Sequence, residues 1–377
     1  VTRPSSGRPF WTLGRWYRRV RTPPIVYSRP AMSKPKLAYL VDPRFPGGTS
    51  AAVARELPIA TELADLSVYA LETRMFRGRT IAPVLAASLD DLGLPLTWSP
   101  RSVEADVVVV HNPSCLKFDT TFSTRILCKR LVVVTHENFL RPGGVEGFDV
   151  RRCLDHLDRN SIALEKVLAP VSDHNRACID AWPARRYQWA VAYSNWPNIC
   201  GFAAAAPTQV PRDRRGRHSR PGLEKFPSLA DLDLCFPLHA EANVLLGADP
   251  LLEPALTRPH WRILPFQSVS VPEYLEEIDF MVYFTAPTWR ESFGRVLAEA
   301  SFAGKAVLTD AETAASLGGG AVIVRPDEVD AAVARLCVDP SAFARTVRKA
   351  QAHLSTANSA DAFREVLQET LSLATMA

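Results

Sequence analysis

The residues best placed to do chemistry lie in Arg290-Glu291-Ser292-Phe293-Gly294 and, eight positions after Glu291, in Glu299-Ala300. An apolar run, Phe280–Phe284, precedes this segment, and a helical pattern over Phe293–Ala303 follows. A helix starting near Ser292 offers unpaired backbone N–H groups, and the positive end of its dipole, to whatever sits above the sheet. Gly294 in the first turn lets a ligand approach the backbone closely. Glu291 and Glu299 stand a little over two turns apart, too far for an acid/base couple on one helix face. Glu291 falls in the loop before the helix and Glu299 on its second turn. That suits two separate hydroxyl-binding carboxylates straddling a diphosphate, one on a sugar and one on a ribose.

Three further groups stand at turns. Gly47-Gly48-Thr49 follows the run Leu37–Val41 and precedes a helical pattern over Ala51–Leu63. Its glycines permit a tight turn and close approach to a phosphate or acceptor, although the sterics of the turn alone would also account for them. His111 and His136 end the apolar runs Val107–Val110 and Leu131–Val134. At the carboxyl ends of parallel strands both would face a ligand crevice, while His111 reads equally well as a hydrogen-bonded strand-end residue. Metal signatures are weak: His136-Glu137 lacks the second histidine of HExxH, and Asp231-Leu-Asp233 satisfies a DxD pattern inside a helical stretch. The seven cysteines form no CxxC pair and read as reduced thiols of a cytoplasmic protein.

The elements that must position these groups alternate strand and helix. Continuous apolar runs at Val107–Val110 and Leu131–Val134 are of the kind central parallel strands show, and Val167–Ser172 and Tyr187–Tyr193 extend the series. A second series has strands at Asn243–Leu246, Trp261–Leu264, Phe280–Phe284, Ala306–Leu308 and Ala321–Val324. The expected class is α/β with two doubly wound parallel sheets. The expected organisation is a basic arm over 1–35, a first domain over 36–198 and a linker over 199–215. A second domain over 216–355 follows, then a C-terminal helix over 356–377 able to cross back.

Charge is unevenly placed. Residues 1–36 carry nine of the 44 Lys and Arg and none of the 40 acidic residues, so the remainder is mildly acidic. That argues against a nucleic-acid-binding body, where a basic face on the folded part is expected. The arm, with Phe10, Trp11, Trp16 and Tyr17 among its arginines, suits an anionic membrane surface such as the inner membrane face. It equally suits a disordered tail or an over-long start, since Met32 directly precedes the first strand. No apolar run reaches the roughly 18 residues a membrane span needs.

Glu291-Ser-Phe-Gly-Arg-Val-Leu-Ala-Glu299-Ala-Ser-Phe-Ala-Gly304 resembles the E-x7-E signature of retaining GT-B glycosyltransferases of family 4. The resemblance implies two Rossmann-like domains facing a central cleft and transfer of a sugar from a nucleoside diphosphate sugar to an acceptor hydroxyl, with retention. It implies that Glu291 contacts the donor sugar, that Glu299 binds the ribose, and that Ser292, Phe293, Gly294 and Arg295 hold the diphosphate between them. Gly216-Arg217-His218-Ser219-Arg220-Pro-Gly-Leu-Glu-Lys225 resembles the family's Gly-Arg…Lys segment, whose cations clamp the pyrophosphate. Lys225 matches; Arg217 fits by following the glycine, and Arg220 by its offset to the lysine. His136 matches a cleft histidine that touches the donor sugar, and Gly47 and Gly48 a glycine-rich loop facing the cleft. No metal and no cofactor besides the donor is implied, and the polysaccharide, lipid or small-molecule acceptor stays open. A GT-B epimerase or phosphorylase, and a non-catalytic nucleotide-sugar-binding subunit, are the alternatives.

Overall fold

The computed structural model describes residues 34–45, 47–183 and 189–376. Most of the basic arm, and the first two residues of the strand expected at Tyr187–Tyr193, lie outside them. The first sheet is built from β1 (Lys36–Val41), β2 (Asp65–Ala70), β3 (Leu96–Trp98), β4 (Ser102–His111), β5 (Arg125–Thr135), β6 (Ser161–Pro170) and β7 (Ala190–Val191). Between them run α1 (Gly48–Leu63), α2 (Pro83–Asp91), α3 (Val150–Arg159) and α4 (Asp173–Asp180). All pairs are parallel, in the order β3-β2-β1-β4-β5-β6-β7. The valine runs sit at its centre, with Val109 opposite Val132 and Val132 opposite Val167, all buried. Burial on both faces is why these strands read as continuous apolar runs.

The second sheet comprises β8 (Arg214–His218), β9 (Ala242–Leu246), β10 (Arg262–Leu264), β11 (Phe280–Val282), β12 (Ala306–Thr309) and β13 (Val322–Ile323), in the parallel order β10-β9-β8-β11-β12-β13. Its helices are α5 (Leu229–Cys235), α6 (Leu252–Ala255), α7 (Val271–Glu276), α8 (Arg295–Phe302), α9 (Val329–Val338) and α10 (Pro340–Ala357). In both sheets the strand order reverses beside the first strand, between β1 and β4 and between β8 and β11. Crevices open at such points, outside the carboxyl ends of the strands.

The linker expected over 199–215 ends early, because β8 begins at Arg214 and is a central strand. Arg-Arg-Gly-Arg-His has no apolar run to announce it. The Arg215 and Arg217 guanidiniums are buried on partners drawn from elsewhere in the chain. Arg215 donates to Asp213 at 2.6 Å, to Asp330 at 2.7 Å and to the Cys235 carbonyl at 3.1 Å. Gly216 admits no side chain: a Cβ there would stand 2.4 Å from the Tyr274 hydroxyl of α7 and 2.6 Å from Ile278.

α11 (Ala360–Met376) returns to the first sheet and packs on α1 and β4. Phe363, Leu367 and Leu371 are buried in one cluster with Val53 and Leu57, and the Phe363 ring meets Trp196 edge-on at 5.5 Å. The two chain passages between the sheets are tied together, the Asn198 N–H donating to Asn358 Oδ1 at 3.1 Å. All seven cysteines are free. Among the described residues no helix is long and apolar enough to cross a membrane.

Candidate functional site

A cavity of about 560 Å³ lies between the carboxyl ends of the two sheets, where both strand orders reverse. The loop after β1 and the start of α1 bring Gly47 and Gly48 to it, and the loop after β5 brings His136; the end of β8 and the turn after it bring His218 and Arg220, and the loop after β11 brings Glu291.

At its centre Glu291 accepts hydrogen bonds from Lys225 Nζ and from the Tyr283 hydroxyl, each at 2.6 Å. Burial alone would raise the Glu291 carboxyl, but the Lys225 charge and the two hydrogen bonds bring it below its ordinary value. Burial lowers Lys225, and Glu291 offsets part of that. The ammonium also stands 4.6 Å above the Trp289 ring, a cation–π arrangement that favours the charged form.

The helix after this loop starts at Arg295, three residues later than the sequence suggests. Gly294 precedes it at φ +75°, a left-handed conformation that a side chain would strain. No side chain caps the helix; the Leu297 N–H turns back to the Gly294 carbonyl at 2.9 Å, which leaves the amides of Arg295 and Val296 as the ones a ligand could take. Ser292 is used between the sheets: its hydroxyl donates to the His136 carbonyl at 2.7 Å, and its own carbonyl accepts from the Ser172 hydroxyl. Phe293 is buried in the core. Arg295 donates to Glu299 at 3.0 Å and to Asn198 Oδ1 at 2.8 Å. Glu299 also lies 3.6 Å from His218 Nε2; burial raises its carboxyl, against the pull of Arg295.

The two candidate arginines part company. Arg217 is 1% exposed and does not line the cavity. Its guanidinium donates to the Phe284 and Lys225 carbonyls and stacks 4.2 Å from the Phe226 ring and 5.0 Å from Tyr283. Arg220 lines the cavity, its side chain 41% exposed and paired with Glu224 at 2.7 Å.

On the opposite wall, burial, with a smaller push from Arg295, lowers His136 to about 3, so its imidazole is neutral. His111 stands behind it, 1% exposed and outside the cavity lining. A Cβ at Gly48 would meet nothing within 4 Å, so that glycine is no requirement of the turn. At Gly47 a Cβ would run into the Phe45 ring at 2.7 Å. Asp231 and Asp233 lie on α5, away from the cavity: Ser228 caps Asp231 and Arg258 pairs with Asp233 at 2.5 Å. Tyr283, Trp289 and His218 escape the sequence reading. The first two flank the recognised motif, and the third ends a strand with no apolar signal.

Solved structures share this architecture. Anabaena HepE in complex with UDP and glucose has a TM-score of 0.66 at 16% identity, over 90% of this chain and all of that one. Sucrose-phosphate synthase from Thermosynechococcus elongatus gives 0.58 at 14% identity, over 91% of this chain and 100% of that one. An alpha-glucosyltransferase in complex with UDP gives 0.54 at 10%, over 90% and 100%. The fold is GT-B. No protein-family profile matches the sequence, and no curated protein matches it. In this GT-B chain the cavity is the interdomain cleft, and the loop carrying Glu291 is fastened across it by Ser172, Ser292 and Asn138, whose amide donates to the Arg290 carbonyl at 3.3 Å.

Proposed function

We propose that the chain transfers a sugar from a nucleoside diphosphate sugar to an acceptor hydroxyl, with retention of anomeric configuration. The observation that carries this reading is Glu291 bound by Lys225 and Tyr283, at the switch point of the second sheet and beside the uncapped start of α8. In such a transfer, negative charge grows on the β-phosphate as the glycosidic bond breaks. Cations and amides already in place stabilise it without reorganising. Lys225 and Arg220 supply the charge and the first turn of α8 supplies the amides, while Arg217 anchors the strand beneath them. Glu291, held by Lys225, takes a sugar hydroxyl; Glu299 takes the ribose; neutral His136 reaches the sugar from the other wall. The departing phosphate accepts the acceptor's proton, so no protein nucleophile is assigned. The HepE complexes, which hold UDP and glucose on the same fold, support the donor class.

Incubation with UDP- and GDP-sugars separates the readings. A transferase releases nucleoside diphosphate; a binding subunit leaves the sugars intact; an epimerase converts them without an acceptor. Lys225→Ala is expected to lower turnover by about 10²–10³, the usual cost of one such contact. Full activity in that variant would remove the clamp assignment.

A further inference from the structure

Behind His136, which the proposed transfer sets against the sugar, two side chains that the transfer does not use continue a line into the core. His136 Nε2 lies within hydrogen-bond distance of His111 Nδ1, at 3.2 Å, whereas His111 Nε2 is buried without a hydrogen-bond partner and faces Glu56 Oε2 across a longer gap of 3.5 Å. The other ring nitrogen of His136, Nδ1, has no protein hydrogen bond among the described residues, and the residue lines the cavity. Glu56 comes from the middle of α1 and is 0% exposed, on a helix face otherwise given to the core. Its Oε2 accepts from the Tyr39 hydroxyl of β1 and its Oε1 from Trp196 Nε1, each at 3.1 Å. The remaining neighbours of the line are the Phe363 ring of α11 against Trp196, and Arg295 of α8, whose charge bears on His136.

The hydrogens can be arranged consistently in two ways. With Glu56 ionised, His111 Nε2–H points at it, His111 Nδ1 accepts from His136 Nε2–H, and His136 Nδ1 shows the cavity a lone pair. With Glu56 protonated, its O–H faces His111 Nε2, His111 Nδ1–H donates to His136 Nε2, and His136 Nδ1–H becomes a donor to the cavity. Passing from the first to the second takes one proton from cavity water at Nδ1. One N–H then breaks as the next bond forms at each step, until the last proton rests on Glu56. Neither ring is charged in either arrangement.

We propose that Glu56 and His111 are positioning residues that set whether the cavity-facing nitrogen of His136 accepts or donates a hydrogen bond. Burial supports the direction of this coupling. It raises the Glu56 carboxyl to about 8 and lowers both imidazoles, His136 to about 3. The line therefore titrates at its buried end, near the Glu56 value of about 8. That the cavity ligand is a sugar hydroxyl rests on the proposed function; the tautomer switch does not.

The test is nitrogen-15 NMR of histidine-labelled, ligand-free full chain from pH 6 to 9.5. The ring nitrogens of His136 and His111 should exchange protonated and unprotonated character together, with one midpoint near the Glu56 value of about 8. In Glu56→Gln the exchange should vanish. Signals fixed across this range in the wild type, or an exchange that survives Glu56→Gln, would overturn the proposal. Should that variant fail to fold, His111→Asn interrupts the same line, and an unchanged His136 exchange in it would be equally fatal. A switch seen in a protein that binds no nucleotide sugar supports this inference and removes the proposed function.

Discussion

Lys225 and Glu291 neutralise each other across 2.6 Å, with side chains only 9% and 15% exposed. Either one alone would be driven toward its neutral form by burial. The pair keeps a cation ready where a diphosphate would arrive. The arginines show how residue type and place separate: both were legible as candidates, but only burial tells them apart. Arg217→Ala would orphan two carbonyls and empty a stacked site between Phe226 and Tyr283, so unfolding measurements should show a loss of about 3 kcal/mol or more. Arg220→Ala should keep wild-type stability while nucleotide-sugar affinity falls about tenfold, or roughly 1.4 kcal/mol. The opposite pattern would exchange their roles.

The histidines set the acid limb of stability. His136 and His218 bind a proton near 3 in the folded chain, against an ordinary 6.5. Between those values the unfolded state holds more protons, so stability rises with pH across that window and is lost as pH falls through it. Glu56 acts in the opposite sense. Its carboxyl is raised from 4.5 to about 8, so its share of stability is lost as pH rises between those values. Urea midpoints from pH 4 to 9 should therefore climb and then flatten or fall, and Glu56→Gln should remove the decline.

At the scale of elements, β4, β5 and the strand–loop–helix around Glu291 could be read because their cores are apolar and their turns carry special residues. β8 could not: its buried arginines are satisfied by Asp213, Asp330 and distant carbonyls that no local pattern shows. β2 also went unread, since only alternate residues, Leu66, Val68 and Ala70, are buried. The start of α8 shifted because Gly294 in the left-handed region, not Ser292, ends the loop. Gly48 carries the prediction at this scale. Gly48→Ala should fold with stability unchanged or raised by up to about 1 kcal/mol. Gly48→Leu should still fold but fill the cavity edge, raising KM at least about tenfold. Unchanged KM in the leucine variant would show that this edge of the cavity is idle.

For the whole molecule, the class and the two-sheet plan followed from the alternation of strands and helices, whereas the cleft itself required the crossings at Asn198 and Asn358 and the return of α11 onto α1. Only the assembled chain brings His136, Arg220, Lys225 and Glu291 to one cavity. In the proposed function this cavity holds a nucleoside diphosphate sugar through its diphosphate. Titration calorimetry with a panel of UDP- and GDP-sugars tests it most directly, on the wild-type chain and on Lys225→Ala. At least one donor should bind the wild type, and Lys225→Ala should weaken it by about 10²-fold or more, some 2.7 kcal/mol. A wild-type chain that binds none of them, or a Lys225→Ala chain that binds as tightly, would contradict it.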